Sequence, residues 1–229
     1  SGNFDASVEV LEKLARTHTG LPIVHSTLGD TLRREEMFAG AIEAYDRAVA
    51  LHGGAELSPW FILYARGISH ERLGHWQESE ADLRTALMLN PDQPQVMNYL
   101  GYSLVEKQVK LQEALSLIQR AMALRPESGY IVDSLGWVLF RLGHFTKAVP
   151  HMERATELMP VDPIVNDHLG DVYWSVGRRL EAEFQWNRAL SFEPEEKEAT
   201  RIRRKLELGL DQVLSEEGAA PLELVKDGD

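Results

Sequence analysis

The sequence predicts an all-α protein, a solenoid of antiparallel helix pairs, and three observations carry the prediction. Pro91, Pro126, Pro160 and Pro194 recur at intervals of 35, 34 and 34 residues, and a fixed period of this length marks a stacked repeat architecture. Small residues recur in register with them: Ala86, Ala121, Ala155 and Ala189 five residues before each proline, then Ser79, Ala114, Ala148 and Ala182, then Gly67, Gly101, Gly136 and Gly170. Apolar residues within the unit follow the spacing of one helical face, as in Leu135, Leu139 and Leu142, and no segment alternates convincingly at period two.

With each proline set at position 32, the small residues fall at positions 8, 20 and 27 of a 34-residue unit. Two helices joined by about three residues approach closely only where facing side chains are small. A glycine inside a helix costs roughly 0.5–1 kcal/mol relative to alanine, which close packing has to offset. Proline falls where one unit ends and the next begins, because it cannot continue a helix. This pattern resembles the tetratricopeptide repeat, a helix–turn–helix module. The resemblance implies a right-handed superhelical solenoid whose first helices line a concave groove.

In chain order, residues 1–21 read as a half-repeat, since Gly2-Asn3-Phe4 aligns with Gly74-His75-Trp76 and Gly143-His144-Phe145 at the start of second helices. Five repeats follow over 22–194: 22–55, 60–93, 94–128, 129–162 and 163–194, with Glu56-Leu57-Ser58-Pro59 inserted after the first. The bare half-repeat predicts a chain excised from a longer array, with a self-capping N-terminal helix as the alternative, and an open end that allows self-association into homo-oligomers. Residues 195–217 read as one amphipathic capping helix with Ala199, Ile202, Leu206, Leu210 and Val213 on its apolar stripe, and 218–229 as a loose tail. Trp76, Phe145, Trp186, Phe4 and Phe38 are expected in the core.

Composition narrows the function. The chain has 229 residues, with 24 Lys+Arg against 36 Asp+Glu and a net charge of −12, which argues against nucleic acid as a partner. Without cysteine there is no disulfide framework and no thiolate chemistry. No apolar run is long enough to span a bilayer. His70-Glu71-Arg72-Leu73-Gly74-His75 resembles a zinc-protease motif one residue too long, with a glycine in the predicted turn between the histidines. No nucleophile elbow, phosphate loop or dinucleotide fingerprint occurs. The expectation is no catalytic residue, no metal and no cofactor. The basic run Arg201, Arg203, Arg204 and Lys205 reads as the solvated face of the cap.

The resemblance implies that positions 2, 5, 9, 12 and 13 of each first helix face the groove. Position 2 is Ile23, Phe61, Gln95, Tyr130 and Ile164; position 5 is Ser26, Tyr64, Asn98, Asp133 and Asp167; position 9 is Asp30, Ile68, Tyr102, Trp137 and Asp171; position 12 adds Val105, Phe140 and Trp174. The candidate binding residues are therefore Tyr64, Ile68, Asn98, Tyr102, Tyr130, Asp133, Trp137, Phe140, Asp167, Asp171 and Trp174. For Trp137, packing between repeats stands as the alternative. An aromatic, amide-lined trough with acidic residues suits a peptide or protein partner. Positions 2, 5 and 6, where family members that grip an acidic chain end carry Lys and Arg, lack both, so a neutral or basic partner is expected.

The stretch from Asn98 to Asn187, with Asp133-Ser134-Leu135-Gly136-Trp137 and His168-Leu169-Gly170-Asp171, is similar to the C-terminal part of long proteobacterial tetratricopeptide proteins. Many of these are exported and some are lipid-anchored; one is the adaptor of a carboxyl-terminal processing protease. The likeness implies a non-catalytic scaffold, periplasmic or associated with the outer membrane, and leaves the cytoplasm open.

Overall fold

The computed structural model describes residues 2–219. Within them the chain forms thirteen α-helices and no strand: α1 (Gly2–Thr17), α2 (Pro22–Arg34), α3 (Phe38–His52), α4 (Trp60–Arg72), α5 (Trp76–Leu89), α6 (Pro94–Glu106), α7 (Leu111–Leu124), α8 (Gly129–Arg141), α9 (Phe145–Leu158), α10 (Pro163–Ser175), α11 (Arg179–Ser191), α12 (Glu196–Leu208) and α13 (Leu210–Glu216). The chain divides into two compact units, residues 1–96 and 97–229, and each is described by itself. None of the described helices is long and apolar enough to cross a membrane.

Helix boundaries follow local chemistry. At α10 the Asp162 carboxylate accepts from the amides of Ile164 and Val165 at 2.9 and 3.1 Å, with Pro163 at the first helical position. The turns within the helix pairs use Gly74, Gly143 and Gly177 at φ near +80°. The pair α6–α7 lacks that glycine, and its turn carries Gln108 and Lys110 at positive φ instead. This turn accounts for the 35-residue spacing in an otherwise 34-residue series.

A close approach within each pair lies at the position-8 glycine. A Cβ at Gly29 would stand 2.6 Å from the Tyr45 ring, and one at Gly170 would stand 2.4 Å from the Trp186 indole. Large second-helix side chains therefore lie flat on the first helix, and they are the interior: Tyr45, Leu83, Ile118, Met152 and Trp186 are fully buried. Between successive pairs of the second unit, Val132, Ala155 and Val165 form a dry cluster flanked by Met122, Leu158 and Met159. Phe145 is buried as expected, whereas Trp76 and Phe38 are half-buried. The Phe4 side chain and residues 220–229 lie outside the described set.

The expected single capping helix is two. Gly209 adopts φ +84° and ψ 157°, and a Cβ there would meet the Trp174 ring at 2.5 Å. Only glycine fits both demands. The chain therefore breaks at Gly209, and α13 folds back with Leu210, Val213 and Leu214 buried.

Candidate functional site

In the second unit the first helices α6, α8 and α10 carry a chain of polar contacts that runs from pair to pair. The Trp137 indole donates to Glu106 at 2.7 Å. His168 donates from Nδ1 to Asp133, with the two carboxylate oxygens at 3.0 and 3.2 Å. Trp137 stacks on His168 with ring centroids 3.9 Å apart and on Phe140 at 4.8 Å, both nearly parallel. Burial disfavours the imidazolium of His168, but the Asp133 carboxylate more than offsets it, with Asp167 and Glu106 adding to the effect. The His168 pKa is therefore raised above its ordinary value.

The acidic end of this row is covered by the chain itself. Lys205 of α12 donates to both oxygens of Asp167 at 2.7 and 2.8 Å and to Asp171 at 2.6 Å. Arg201 approaches the same two carboxylates at 4.0 and 3.7 Å and bonds Glu217. Trp186 also donates to Asp171, at 2.9 Å. The Lys205 side chain is fully buried, which corrects the expectation that the basic run is a solvated face. An ammonium leaves water at this cost only when carboxylates meet it. Trp174 is covered as well: its indole donates to Asp211 at 2.8 Å, and the Arg179 guanidinium lies 3.5 Å from its ring centroid.

The expected binding residues therefore separate. Phe140 is 1 % exposed and Asp171 likewise, so neither presents a surface, and both expectations are corrected. Phe140 is taken up by Trp137 and Phe145, Asp171 by Lys205 and Trp186. Asp133 and Trp137, each 6 % exposed, are mostly enclosed; inter-repeat packing claims the ring of Trp137 and His168 claims Asp133. Asp167 is held by Lys205. The charges of Asp133, Asp167 and Asp171 are met within the chain, by His168 and Lys205. Tyr64 and Ile68 are half-buried in the first unit, Asn98, Tyr102 and Trp174 half-buried in the second. Tyr130 stays open at 65 %. The other position-2 residues Ile23, Phe61 and Ile164 are exposed too, so this position is the outermost apolar row in each unit.

A pocket of about 510 Å3 opens beside this row in the second unit. Tyr102, Trp137, Arg141 and Ile164 line it on one part, Leu214 and Glu217 on another. Arg141 and Glu106 both stand at position 13, a groove position whose side chains were not read out from the sequence. In the first unit His70 and His75 have ring centroids 5.8 Å apart, and no group of three metal-ligating side chains exists among the described residues.

A family model described as tetratricopeptide repeat matches residues 64–128 and 134–196, more than half of the chain. The chain belongs to the tetratricopeptide repeat family. It is 34% identical over 110 residues to the TPR repeat-containing protein PA4667 of Pseudomonas aeruginosa, covering 48% of this chain and 18% of that protein. It is 24% identical over 208 residues to anaphase-promoting complex subunit 7 of Dictyostelium discoideum, covering 90% and 34%. The chain thus spans between about a fifth and a third of the length of these relatives. Among solved structures, a tetratricopeptide repeat protein from Parabacteroides merdae aligns with TM-score 0.75 and 18% identity over 90% of this chain and 80% of that one. YrrB, described as having an unusual peptide-binding site, aligns with TM-score 0.61 and 20% identity over 86% and 99%. These likenesses show the fold, which is that of protein–protein interaction scaffolds.

Proposed function

We propose that the chain is a non-catalytic scaffold that captures a segment of a partner protein on the first-helix face of its second unit, at Tyr130, Ile164, Tyr102 and the adjoining pocket. The observation that carries this reading is the exposure of Tyr130 and of Ile164, the latter at a pocket that Tyr102 and Trp137 also line. A tyrosine gives a large contact area with few rotors to freeze, and such residues dominate binding energy where they anchor a partner. The peptide-binding site ascribed to YrrB supports the same use of this fold.

The narrower role, an adaptor presenting partners to a periplasmic carboxyl-terminal processing protease, rests on the resemblance that the sequence of Asn98–Asn187 suggests. The test is site-specific photocrosslinking in the native host. A benzoylphenylalanine at position 130 or 164 is expected to trap one discrete partner that the same probe at Leu180, a still more open position on α11, does not trap. Equal trapping at all three positions, or none at 130 and 164, overturns the reading.

A further inference from the structure

Helix α13 lies where a bound segment would lie. The chain enters it at Gly209, against the ring of Trp174, a groove position of α10. Leu214 and Glu217 stand in the wall of the pocket that Tyr102 and Ile164 also line. The helix has one apolar face and one acidic edge. Leu210, Val213 and Leu214 are buried, at the i, i+3, i+4 spacing of a single helical face. The acids meet donors on the neighbouring helices. Asp211 accepts from the Trp174 indole and lies 3.5 Å from Arg179 of α11. Glu216 pairs with Arg204 of α12, and Glu217 with Arg201 at 2.7 Å.

Three features make this occupant exchangeable. Its seven residues form about two turns, too few to hold a helix without packing. Asp211, Glu216 and Glu217 are all exposed, and exposed ion pairs hold weakly. Gly209 joins it to α12 at φ +84°, while the buried cluster of Lys205 with Asp167 and Asp171 keeps α12 in place. An element tied this way opens at lower free energy than the core it covers. When it opens, Trp174, Arg179, Arg201 and Arg204 lose their carboxylate partners on α13 together.

We propose that α13 is a displaceable internal ligand, and that the site beneath it on α10, α11 and α12 takes an acidic amphipathic helix of a partner protein. That helix carries apolar residues at i, i+3 and i+4 and carboxylates at the places of Asp211, Glu216 and Glu217. It competes with α13, which keeps the site closed until a segment of matching pattern arrives. The cations come from α11 and α12, outside the five first helices from which a neutral or basic partner is expected. That a partner uses the site rests on the proposed scaffold function; the opening of α13 and the chemistry beneath it do not.

The Trp174 indole resonance reads the site in isotope-labelled full-length protein, since its N–H donates to Asp211 while α13 is seated. Leu210→Ser with Val213→Ser removes the apolar anchors of α13 and alters no residue beneath it. The resonance is expected to shift in this double variant, and a free peptide of residues 209–218 to bring it back to the parent's position. The same peptide with Asp211→Asn, Glu216→Gln and Glu217→Gln is expected to bind about tenfold more weakly or worse. The parent is expected to bind the acidic peptide about tenfold more weakly than the variant does, because its site is open for only a fraction of the time. A resonance that does not return, equal binding of the two peptides, or equal binding by parent and variant overturns the proposal. Amide exchange in the parent decides the matter where the double variant fails to fold. Val213 and Leu214 exchanging faster than Ile202 support the proposal, and one common rate for α13 and α12 overturns it. A parent dimer in light scattering that the peptide separates into monomers would make a second copy's α13 the occupant, and overturns it too. Photocrosslinking at positions 130 and 164 succeeds or fails independently of these results.

Discussion

Asp30 and Asp171 hold the same place in their helix pairs, position 9 of the first helix, and each accepts a hydrogen bond from the position-24 aromatic of its own second helix. Tyr45 donates its hydroxyl to Asp30 at 2.7 Å, and Trp186 donates its indole N–H to Asp171 at 2.9 Å. Their surroundings differ. The Asp30 side chain is 45 % exposed, with Arg33 as a neighbour at 4.0 Å. Asp171 is sealed under α12, with Lys205 bonded to it. One sequence position thus serves a solvated contact in the first unit and a buried ion cluster in the second. The deciding feature is what the following helix lays over it.

The comparison breaks most visibly at Lys205. Lys205→Ala leaves Asp167 and Asp171 buried without their cation, and removing one member of a buried pair costs about 3–5 kcal/mol. The expected outcome is a large drop in the urea midpoint, with the α12–α13 end opening first, read as faster amide exchange at Ile202 and Val213 than in α8. The charge-free alternative sharpens the point. Lys205→Met with Asp167→Asn and Asp171→Asn removes the ions together, and it is expected to recover most of the loss. A triple variant as unstable as Lys205→Ala would mean that packing, not charge, holds the cap.

The helix-pair architecture was legible because its signals are local and repeated. Pro22, Pro94 and Pro163 mark the starts of α2, α6 and α10, and the glycines at position 8 mark the close approaches. The binding face was less legible, for a physical reason. A register assigns side chains to a face, but it does not say which of them another segment will cover. Asp171, Phe140 and Trp174 sit on the expected face and are covered all the same: Lys205 of α12 meets Asp171, Trp137 and Phe145 take up Phe140, and Asp211 of α13 meets Trp174. One signal did exist. Arg201 and Lys205 stand 34 residues after Asp167 and Asp171, the repeat interval itself, so the cap is in register as a further first helix and its cations face the acids before it. Reading the basic run apart from the repeat hid that pairing.

A smaller effect separates the units by pH. His168 is buried against Asp133 in the second unit, and its pKa is raised above the ordinary value near 6.5. A raised folded-state pKa gives stability that is present in full below the unfolded value and is lost as pH climbs through the folded one. The melting temperature of the second unit is therefore expected to decline across that window, by about 1.4 kcal/mol of stability for each tenfold gain in proton affinity. Asp133→Asn leaves burial as the main influence on His168 and is expected to flatten or reverse the slope. The same slope in both proteins would show that the imidazole–carboxylate contact contributes nothing to it.

The smallest effect belongs to Asp30. Tyr45→Phe keeps the ring packed on Gly29 and deletes only the hydroxyl. The hydroxyl donates to Asp30 and accepts a long bond from Arg33 Nε at 3.4 Å; both partners it leaves are open to water and beside one another, so they regain solvent partners at once, and the net loss is about 1 kcal/mol or less. Burial, and then the nearby Asp30 carboxylate, hold the Tyr45 phenol above its usual pKa, which keeps that hydroxyl a donor over the whole working pH range. Trp186→Phe makes the matching deletion at Asp171 in a site that water does not reach. It removes one donor from a carboxylate whose second oxygen already has no hydrogen bond, so its cost is expected to exceed that of Tyr45→Phe in paired urea titrations. Equal costs would mean that exposure does not set the worth of this contact, and the distinction between the two aspartates would fall.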